Sequence, residues 1–244
     1  MPKDERTIRI SHYRAMLYIG IVTGILLATR WAGLHGLSAS KVNAALLILV
    51  LPALAGARLL FVATHWERFR RHPQRIWRRT DGGAALFGGL VLAVALSVPL
   101  LRAIGIAFGA FWDAAIIAML VGMILTRVGC LLTGCCAGRP VEGRFALLLP
   151  GEDGRWRRRF PTQALEATGS ALLLPASAWV ADSLQFEGAR FLFALAAYGV
   201  GRWCLEPMRE TVHRDDHLGL NRAISSALAG IAAAVFLIVW LSRR

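Results

Sequence analysis

The sequence has few long polar stretches and is poor in acidic residues. Among its 244 residues there are 15 aspartates and glutamates against 28 lysines and arginines, and 56% of the residues are apolar. The mean hydropathy is positive. A chain of this composition is not expected to fold as a water-soluble globular domain, so a lipid bilayer is the solvent that fits it.

Lysine is almost absent as well. Lys3 and Lys41 are the two lysines, so 26 of the 28 basic residues are arginine, and the net charge is +13. In a chain this apolar, a basic excess indicates contact with anionic lipid headgroups and argues against nucleic acid as a partner. The planar guanidinium suits bidentate contacts to phosphate, although a coding bias toward arginine would give the same composition.

Seven stretches are apolar and approach the roughly 20 residues that a membrane-spanning helix needs. The first twelve residues are charged and no small-residue cleavage site follows, so no cleavable signal peptide is expected. We predict an all-α polytopic membrane protein with a single membrane domain, residues 1–244, whose polar stretches 64–82 and 138–162 are arms at headgroup level. The predicted membrane segments are 13–29, 43–63, 83–101, 113–132, 163–182, 189–206 and 223–241.

The polar loops of such a bundle divide unequally between its two faces. The face that holds the N-terminus carries 19 basic residues, and the opposite face carries 6. The positive-inside rule would place the N-terminus in the cytoplasm. Arginines retained to bind phosphate distort that count, so the rule is weakest where a site is built from arginine.

Three arginines, Arg58, Arg127 and Arg202, fall within apolar segments. A guanidinium at membrane depth costs about 2.5–3.5 kcal/mol and persists where it is paired or serves a site. Interhelical ion pairs, snorkelling side chains and a functional site are all compatible with this pattern. Candidate partners are Glu206, four residues after Arg202 on the same helical face, and Asp81, Asp113 and Glu166 near other segment ends.

All four cysteines lie at predicted membrane depth. Their spacing matches no common zinc-binding pattern, no histidine accompanies them, and adjacent cysteines rarely bridge each other. Three interpretations stay open: small packing residues, a reactive thiol whose pKa is lowered by nearby arginines, or a metal or disulfide site. The cysteines are Cys130, Cys135, Cys136 and Cys204.

Four motifs occur in order along nearly the whole chain. They are Asp81-Gly82-Gly83 to Gly88-Gly89, Arg127-Val128-Gly129 to Gly138-Arg139, Phe160-Pro161-Thr162-Gln163 with Glu166, and Tyr198-Gly199 to Arg202 with Glu206 and Arg209. Together they resemble the signature stretches of the bacterial prolipoprotein diacylglyceryl transferases, seven-helix inner-membrane enzymes that move diacylglycerol from phosphatidylglycerol onto a lipoprotein cysteine. Weaker matches are Tyr13, Gly56-Ala57-Arg58 and Leu218-Gly219-Leu220-Asn221.

The chain departs from the family pattern at three positions. The family's histidine, regarded as a catalytic base or a substrate-orienting group, falls on Phe87, its signature asparagine on Cys130 and its signature glutamate on Cys135. Phenylalanine cannot accept a proton. The resemblance therefore implies a divergent paralogue that keeps the arginines facing phosphate but has changed the groups that activate the acceptor.

The resemblance implies a transferase with an anionic phospholipid donor, such as phosphatidylglycerol, and an acceptor that need not be a prolipoprotein cysteine: a lipoprotein, a lipid or a glycan. It implies a monomer in the bacterial inner membrane, with a periplasmic active face despite the charge bias, and no metal or cofactor. The implied catalytic residues are Arg127, Arg202, Glu206, Cys135 and Cys136. The implied substrate-binding residues are Tyr13, Arg58, Asp81, Gly82, Gly83, Gly129, Gly134, Gly138, Arg139, Gln163, Glu166 and Arg209.

Two other functions stay open. A non-catalytic phospholipid-binding or transport protein would keep the arginine site and lose the base. A membrane thiol-redox protein would cycle Cys135 or Cys136 with Cys130 or Cys204. Alkylation of the reduced and the oxidised protein would separate the redox function from the other two.

Overall fold

The seven predicted segments are long helices in a computed structural model, which describes residues 3–70, 74, 76, 86–144, 146–150, 155–210 and 217–242. A short helix and a β-hairpin lie within the two polar stretches and do not follow from the apolar pattern. The helices are α1 (Lys3–Leu34), α2 (Ala39–Thr64), α3 (Trp66–Arg70), α4 (Leu86–Ile104), α5 (Phe108–Thr133), α6 (Thr162–Leu184), α7 (Ala189–Leu205) and α8 (His217–Ser242), and the strands are β1 (Leu147–Pro150) and β2 (Trp156–Arg159).

Five helices of the described chain are long and apolar enough to cross a membrane. α7 is outside this set with 17 residues, and α6, also outside it, carries polar side chains that include the buried Gln163 and Glu166. The protein is an all-α polytopic membrane protein, as predicted. The five spans are His12–Leu34, Ala39–Thr64, Phe87–Ile104, Phe108–Thr133 and Arg222–Ser242.

The bundle is held by two close helix pairs and a shared apolar core. α1 packs along α5, α2 packs along α4, and α6 and α7 complete the bundle beside α5. Aromatic side chains of α5 and α7 meet in the core, where the ring centroids of Trp112 and Phe191 are 4.9 Å apart. The indole Nε1 of Trp112 donates to Ser97 Oγ at 3.1 Å, so this buried polar group is satisfied.

Glycines explain the close approach of α2 and α4. A Cβ on Gly56 would collide with the backbone of Gly88, and a Cβ on Gly88 would collide with that of Gly56. Small residues at such a crossing allow two membrane helices to approach each other along their backbones. Gly88 and Gly89 belong to a motif that resembles the family signature, and the structure uses both in helix packing.

The end of the bundle away from the motifs is organised by Asp113. Its carboxylate accepts hydrogen bonds from the backbone N–H of Gly188 at 2.7 Å and of Phe191 at 2.9 Å, so it caps the start of α7. Asp113 is therefore not a partner of the three arginines in the apolar segments. Arg190 is buried beside it, with its guanidinium 5.3 Å from the ring centroid of Trp31.

Candidate functional site

Three helix ends converge on one end of the bundle and bring their charged residues together. Arg127 lies near the C-terminal end of α5, Glu166 in the first turns of α6, and Arg202 near the C-terminal end of α7. The 3-10 turn Glu206–Met208 then carries the chain to Arg209. All of these residues are site residues predicted from the sequence, and the structure places them in one ion-pair cluster.

The carboxylate of Glu166 lies at the centre of this group. The group is called the arginine cluster below and consists of Arg127, Glu166, Arg202, Glu206 and Arg209. Its Oε1 accepts hydrogen bonds from Arg202 Nη1 and Arg209 Nη1, both at 2.8 Å, and its side chain is 2% exposed. Arg127 Nε forms an ion pair with Oε2, although the two atoms are not oriented for a hydrogen bond. A buried carboxylate that faces three guanidinium groups holds the ends of α5, α6 and α7 in register.

The arginine cluster carries a surplus of positive charge. Glu206 Oε2 accepts a hydrogen bond from Arg202 Nη2 at 2.6 Å, so two carboxylates face the three guanidinium groups of Arg127, Arg202 and Arg209. The net charge of these five side chains is +1. The guanidinium groups are largely buried, with side-chain exposures between 11% and 19%. An anion with several acceptor oxygens, such as a phosphate, would match this charge and donor geometry.

After α5, the chain at Gly138 and Arg139 lies between two other segments and is called the wedge below. Gly138 N donates to Phe160 O at 3.0 Å, and Arg139 N donates to Met208 O at 2.9 Å. A Cβ on Gly138 would collide with the carbonyl oxygens of both Phe160 and Met208, so the wedge requires glycine. The pairing fixes Arg209 against the arginine cluster through its bridge to Gly138.

A second buried ion pair supports this wedge and was not predicted from the sequence. Arg159 is 1% exposed at the end of β2, and its Nη1 pairs with Glu210 Oε2. The same nitrogen lies 3.4 Å from Gly138 O, so the side chain joins β2, the wedge and the chain after α7. The two residues are 51 positions apart, which local spacing arguments do not reach.

Three cysteines meet beside the arginine cluster. α5 ends in a Schellman motif, in which Gly134 has φ +69° and Cys135 N donates to Cys130 O at 3.1 Å. The Sγ atoms of Cys130, Cys135 and Cys136 all lie within 4.8 Å of one another. Hydrogen bonds from the other two thiols, helped by the charges of Arg209 and Arg127, lower the pKa of Cys136.

Gln163 and Thr162 fasten the thiol turn to the start of α6. Gln163 Nε2 donates to Cys135 O at 2.8 Å, and Thr162 Oγ1 donates to Cys136 O at 3.0 Å. Gln163 was predicted to bind substrate, but it is 1% exposed and its amide group supports the turn. Cys204 is exposed on α7 and is not part of the group of three thiols.

Several other predicted site residues lie around the cluster or apart from it. Tyr13 packs on Gly129, where a side chain on α5 would collide with α1. The side chain of Arg139 is exposed. Arg58 donates from Nε to Ile76 O at 2.7 Å and stacks over Phe61 and Phe69, so it organises the segment after α2. Asp81, Gly82 and Gly83 lie outside the described residues.

Comparison with known proteins identifies the family. The family model described as prolipoprotein diacylglyceryl transferase matches residues 5–240. The chain belongs to this transferase family. A phosphatidylglycerol–prolipoprotein diacylglyceryl transferase of Geobacillus kaustophilus is 30% identical over 97% of this chain and 89% of its own length.

Two further relatives carry the same type of name. A phosphatidylglycerol–prolipoprotein diacylglyceryl transferase of Dehalococcoides mccartyi is 28% identical over 96% of this chain and 90% of its own length. The phosphatidylglycerol–prolipoprotein diacylglyceryl transferase 2 of Clostridium perfringens is 24% identical over 83% of this chain and 80% of its own length. This transferase family member is therefore matched along nearly its whole length.

The position that corresponds to the family's histidine is apolar in its surroundings as well as in its side chain. Phe87 is 7% exposed at the start of α4. It borders a cavity of about 30 Å³ together with Met119, Leu120 and Tyr198. Among the described residues that line this cavity, Tyr198 carries the only titratable side chain.

Removing the charge of Glu166 should test the role of the arginine cluster in the fold. We expect Glu166→Gln to lower the stability of the protein by about 3–5 kcal/mol, because three largely buried guanidinium groups lose their shared counter-charge. Thermal unfolding in detergent measures the effect. Glu187→Gln, at an exposed position, is the matched control, and equal melting temperatures for the two variants would contradict the assignment.

Proposed function

We propose that this protein transfers a diacylglyceryl group from an anionic phospholipid, such as phosphatidylglycerol, to an acceptor nucleophile at the end of the bundle that holds the arginine cluster. The observation that carries the proposal is the surplus of positive charge at Glu166, where three largely buried guanidinium groups face two carboxylates. The relatives' names, which include phosphatidylglycerol and prolipoprotein, support this donor.

In the proposed reaction the acceptor attacks the diacylglycerol carbon that is bonded to the phosphate oxygen. The bond between this carbon and the phosphate oxygen breaks, its electron pair stays on the departing glycerol phosphate, and the acceptor gives up its proton. Negative charge therefore grows on the phosphate as the bond breaks. Arginines placed against it in advance would lower the barrier, each by about 2–4 kcal/mol.

The residues divide into those that contact phosphate and those that position them. Arg127 and Arg202 are assigned to the phosphate, with Arg209, Arg139 and Arg58 as further contacts. Glu206 orients Arg202 through its hydrogen bond of 2.6 Å. Gly129, Gly134 and Gly138 keep the backbone close to the site, and Tyr13, Asp81, Gly82 and Gly83 remain assigned to substrate binding.

The proton of the acceptor needs a different destination from the one the family pattern provides. Glu166 is a poor candidate because its two oxygens already face Arg127, Arg202 and Arg209. Cys136 is a further candidate, because its Sγ lies with those of Cys130 and Cys135 beside Arg127 and Arg209. Cys135, or an acceptor already ionised by the arginines, are the other routes.

The altered positions bear on the acceptor more than on the donor. Phe87, Cys130 and Cys135 replace the groups that the family resemblance connects with acceptor activation. We therefore propose an acceptor other than a prolipoprotein cysteine, drawn from lipoproteins, lipids and glycans. We also propose that the protein is a monomer in the bacterial inner membrane, with the arginine cluster on the periplasmic side, where arginines recruited to lipid phosphate account for the excess of basic residues on that face.

A non-catalytic phospholipid-binding protein is the second candidate. The observation that favours it is Phe87, a buried apolar side chain that cannot act as a base. Such a protein would bind anionic lipid through the same arginines without releasing glycerol phosphate. A thiol-redox protein is favoured by the three neighbouring thiols, but Cys204 is exposed and outside their group.

Replacing Arg202 should separate catalysis from structure elsewhere in the bundle. We expect Arg202→Ala to reduce the release of glycerol phosphate from phosphatidylglycerol bilayers by roughly 100-fold or more, because one preorganised donor is lost from the transition state. The assay measures glycerol phosphate released by the purified, reconstituted protein, with thiol, hydroxyl and amine acceptors added in turn.

Arg30→Ala is the control, since Arg30 is an exposed arginine near the far end of α1. It should release glycerol phosphate at the wild-type rate. If the wild-type protein releases none with any acceptor, yet still binds the anionic lipid, the phospholipid-binding function replaces the transferase.

Restoring the histidine tests the account of acceptor activation. We expect Phe87→His to increase transfer to a thiol acceptor by about 100-fold, which is the lower range for a positioned general base. Transfer is measured as the lipidated acceptor by mass spectrometry. Phe87→Leu provides the control for altered packing without a base, and an equal rate for the two variants would show that the missing histidine does not limit the reaction.

A further inference from the structure

The thiol group of Cys130, Cys135 and Cys136 is closer than packing alone requires. In a Schellman motif, the residue three before the helix end and the residue after the turn make an apolar contact, which accounts for Cys130 beside Cys135. It does not account for the third sulfur. Cys136 has φ +62°, a conformation that residues other than glycine rarely adopt, and its turn brings a third Sγ within 4.8 Å of the other two.

We propose that Cys130, Cys135 and Cys136 bind one thiophilic divalent metal ion of the Zn²⁺ class. Thiolates bind Zn²⁺ at about 2.3 Å, so three sulfurs around one ion stand about 4 Å apart. The observed limit of 4.8 Å is close to this value, and small rotations of the side chains would close the difference. Soft thiolate ligands select this class of ion over Mg²⁺ or Ca²⁺.

Gln163 supplies an independent observation at the same turn. Its Nε2 donates to Cys135 O at 2.8 Å, which anchors the amide to the backbone that carries the thiols. Its Oε1 is buried and lacks a hydrogen-bond partner among the described residues. A buried polar atom without a partner is costly. A fourth metal ligand, directly from this oxygen or through a bound water, would satisfy it.

The charges of the neighbouring cluster favour a divalent ion. Three thiolates and one divalent cation carry a net charge of −1, whereas the side chains of the arginine cluster carry +1. Arg127 and Arg209 interact electrostatically with Cys136. The two groups would neutralise each other, which a largely buried pair of charged centres requires.

This arrangement also departs from the usual spacing of zinc sites. The three cysteines lie within seven residues of one another, in a helix end and the turn that follows it. From the sequence, a metal or disulfide site was one of three open interpretations of the cysteines, and the family resemblance implied no metal. The left-handed turns at Gly134 and Cys136 bring together ligands that a spacing pattern does not recognise.

Metal binding does not depend on the proposed transferase activity, but a bound metal should inhibit that activity. A metal–thiolate centre would supply the negative charge that the donor phosphate otherwise supplies, and it would occupy the Cys136 thiolate. Metal binding can be measured without donor or acceptor lipid. Failure of the metal site and failure of the transferase are therefore distinguishable.

Titration of the reduced, full-length protein in detergent with Cd²⁺ tests the proposal. We expect one Cd²⁺ per chain and a thiolate-to-metal charge-transfer band in the ultraviolet. Cys130→Ser, Cys135→Ser and Cys136→Ser should each lower the affinity by about 100-fold or more, since a lost ligand should cost at least as much as a lost supporting contact. Cys204→Ser should bind as the wild type does.

A second measurement uses the wild-type protein and does not depend on the folding of variants. Cd²⁺ should protect Cys130, Cys135 and Cys136 from maleimide, read out by mass spectrometry, while the exposed Cys204 still reacts. Absence of the band, or equal protection of all four cysteines, would overturn the proposal. A reduced protein that does not bind Cd²⁺, but that forms a disulfide between two of the three thiols on oxidation, would overturn it in favour of redox chemistry.

Discussion

The Glu166 carboxylate is the constraint on which the functional end of this protein depends. Three guanidinium groups from different parts of the chain, Arg127, Arg202 and Arg209, face its two oxygens. None of these groups could be left unpaired at this depth without a large cost. The position of each helix end is therefore set by charge pairing as much as by apolar packing. Because Glu206 pairs with Arg202 as a second carboxylate, one positive charge is left over.

The turn after α5 connects the arginine cluster to the three thiols. Gly138 has room for no side chain between Phe160 and Met208, so the wedge holds Arg209 close to Glu166. The Schellman end of α5 and the left-handed Cys136 bring three sulfurs to the edge of the arginine cluster. The proposed anionic lipid and the proposed metal–thiolate centre would each neutralise the same surplus of positive charge.

The sequence predicted the helices well because five of them are long apolar runs of the kind that a bilayer-spanning helix needs. It also predicted the pairing of Arg202 with Glu206, since a spacing of four residues places both on one helical face. It did not predict that Glu166 faces three arginines, or that Arg159 pairs with Glu210, because these contacts join residues far apart in the chain.

Two other expectations changed for physical reasons. Asp113 was a candidate partner for an arginine in an apolar segment, but backbone N–H groups at the start of α7 use its carboxylate. Gln163 was a candidate substrate ligand, and in the structure its amide nitrogen holds the turn at Cys135. In both cases a backbone group that local sequence does not reveal competes for the polar side chain.

Mass spectrometry of membrane lipids and lipoproteins from cells with and without the intact gene tests the central claim most directly. If the arginine cluster serves diacylglyceryl transfer, a diacylglyceryl-bearing product is present with the intact protein and absent without it, and the product names the acceptor. Identical lipid and lipoprotein profiles in the two strains would contradict the transferase and leave the arginines with a binding role.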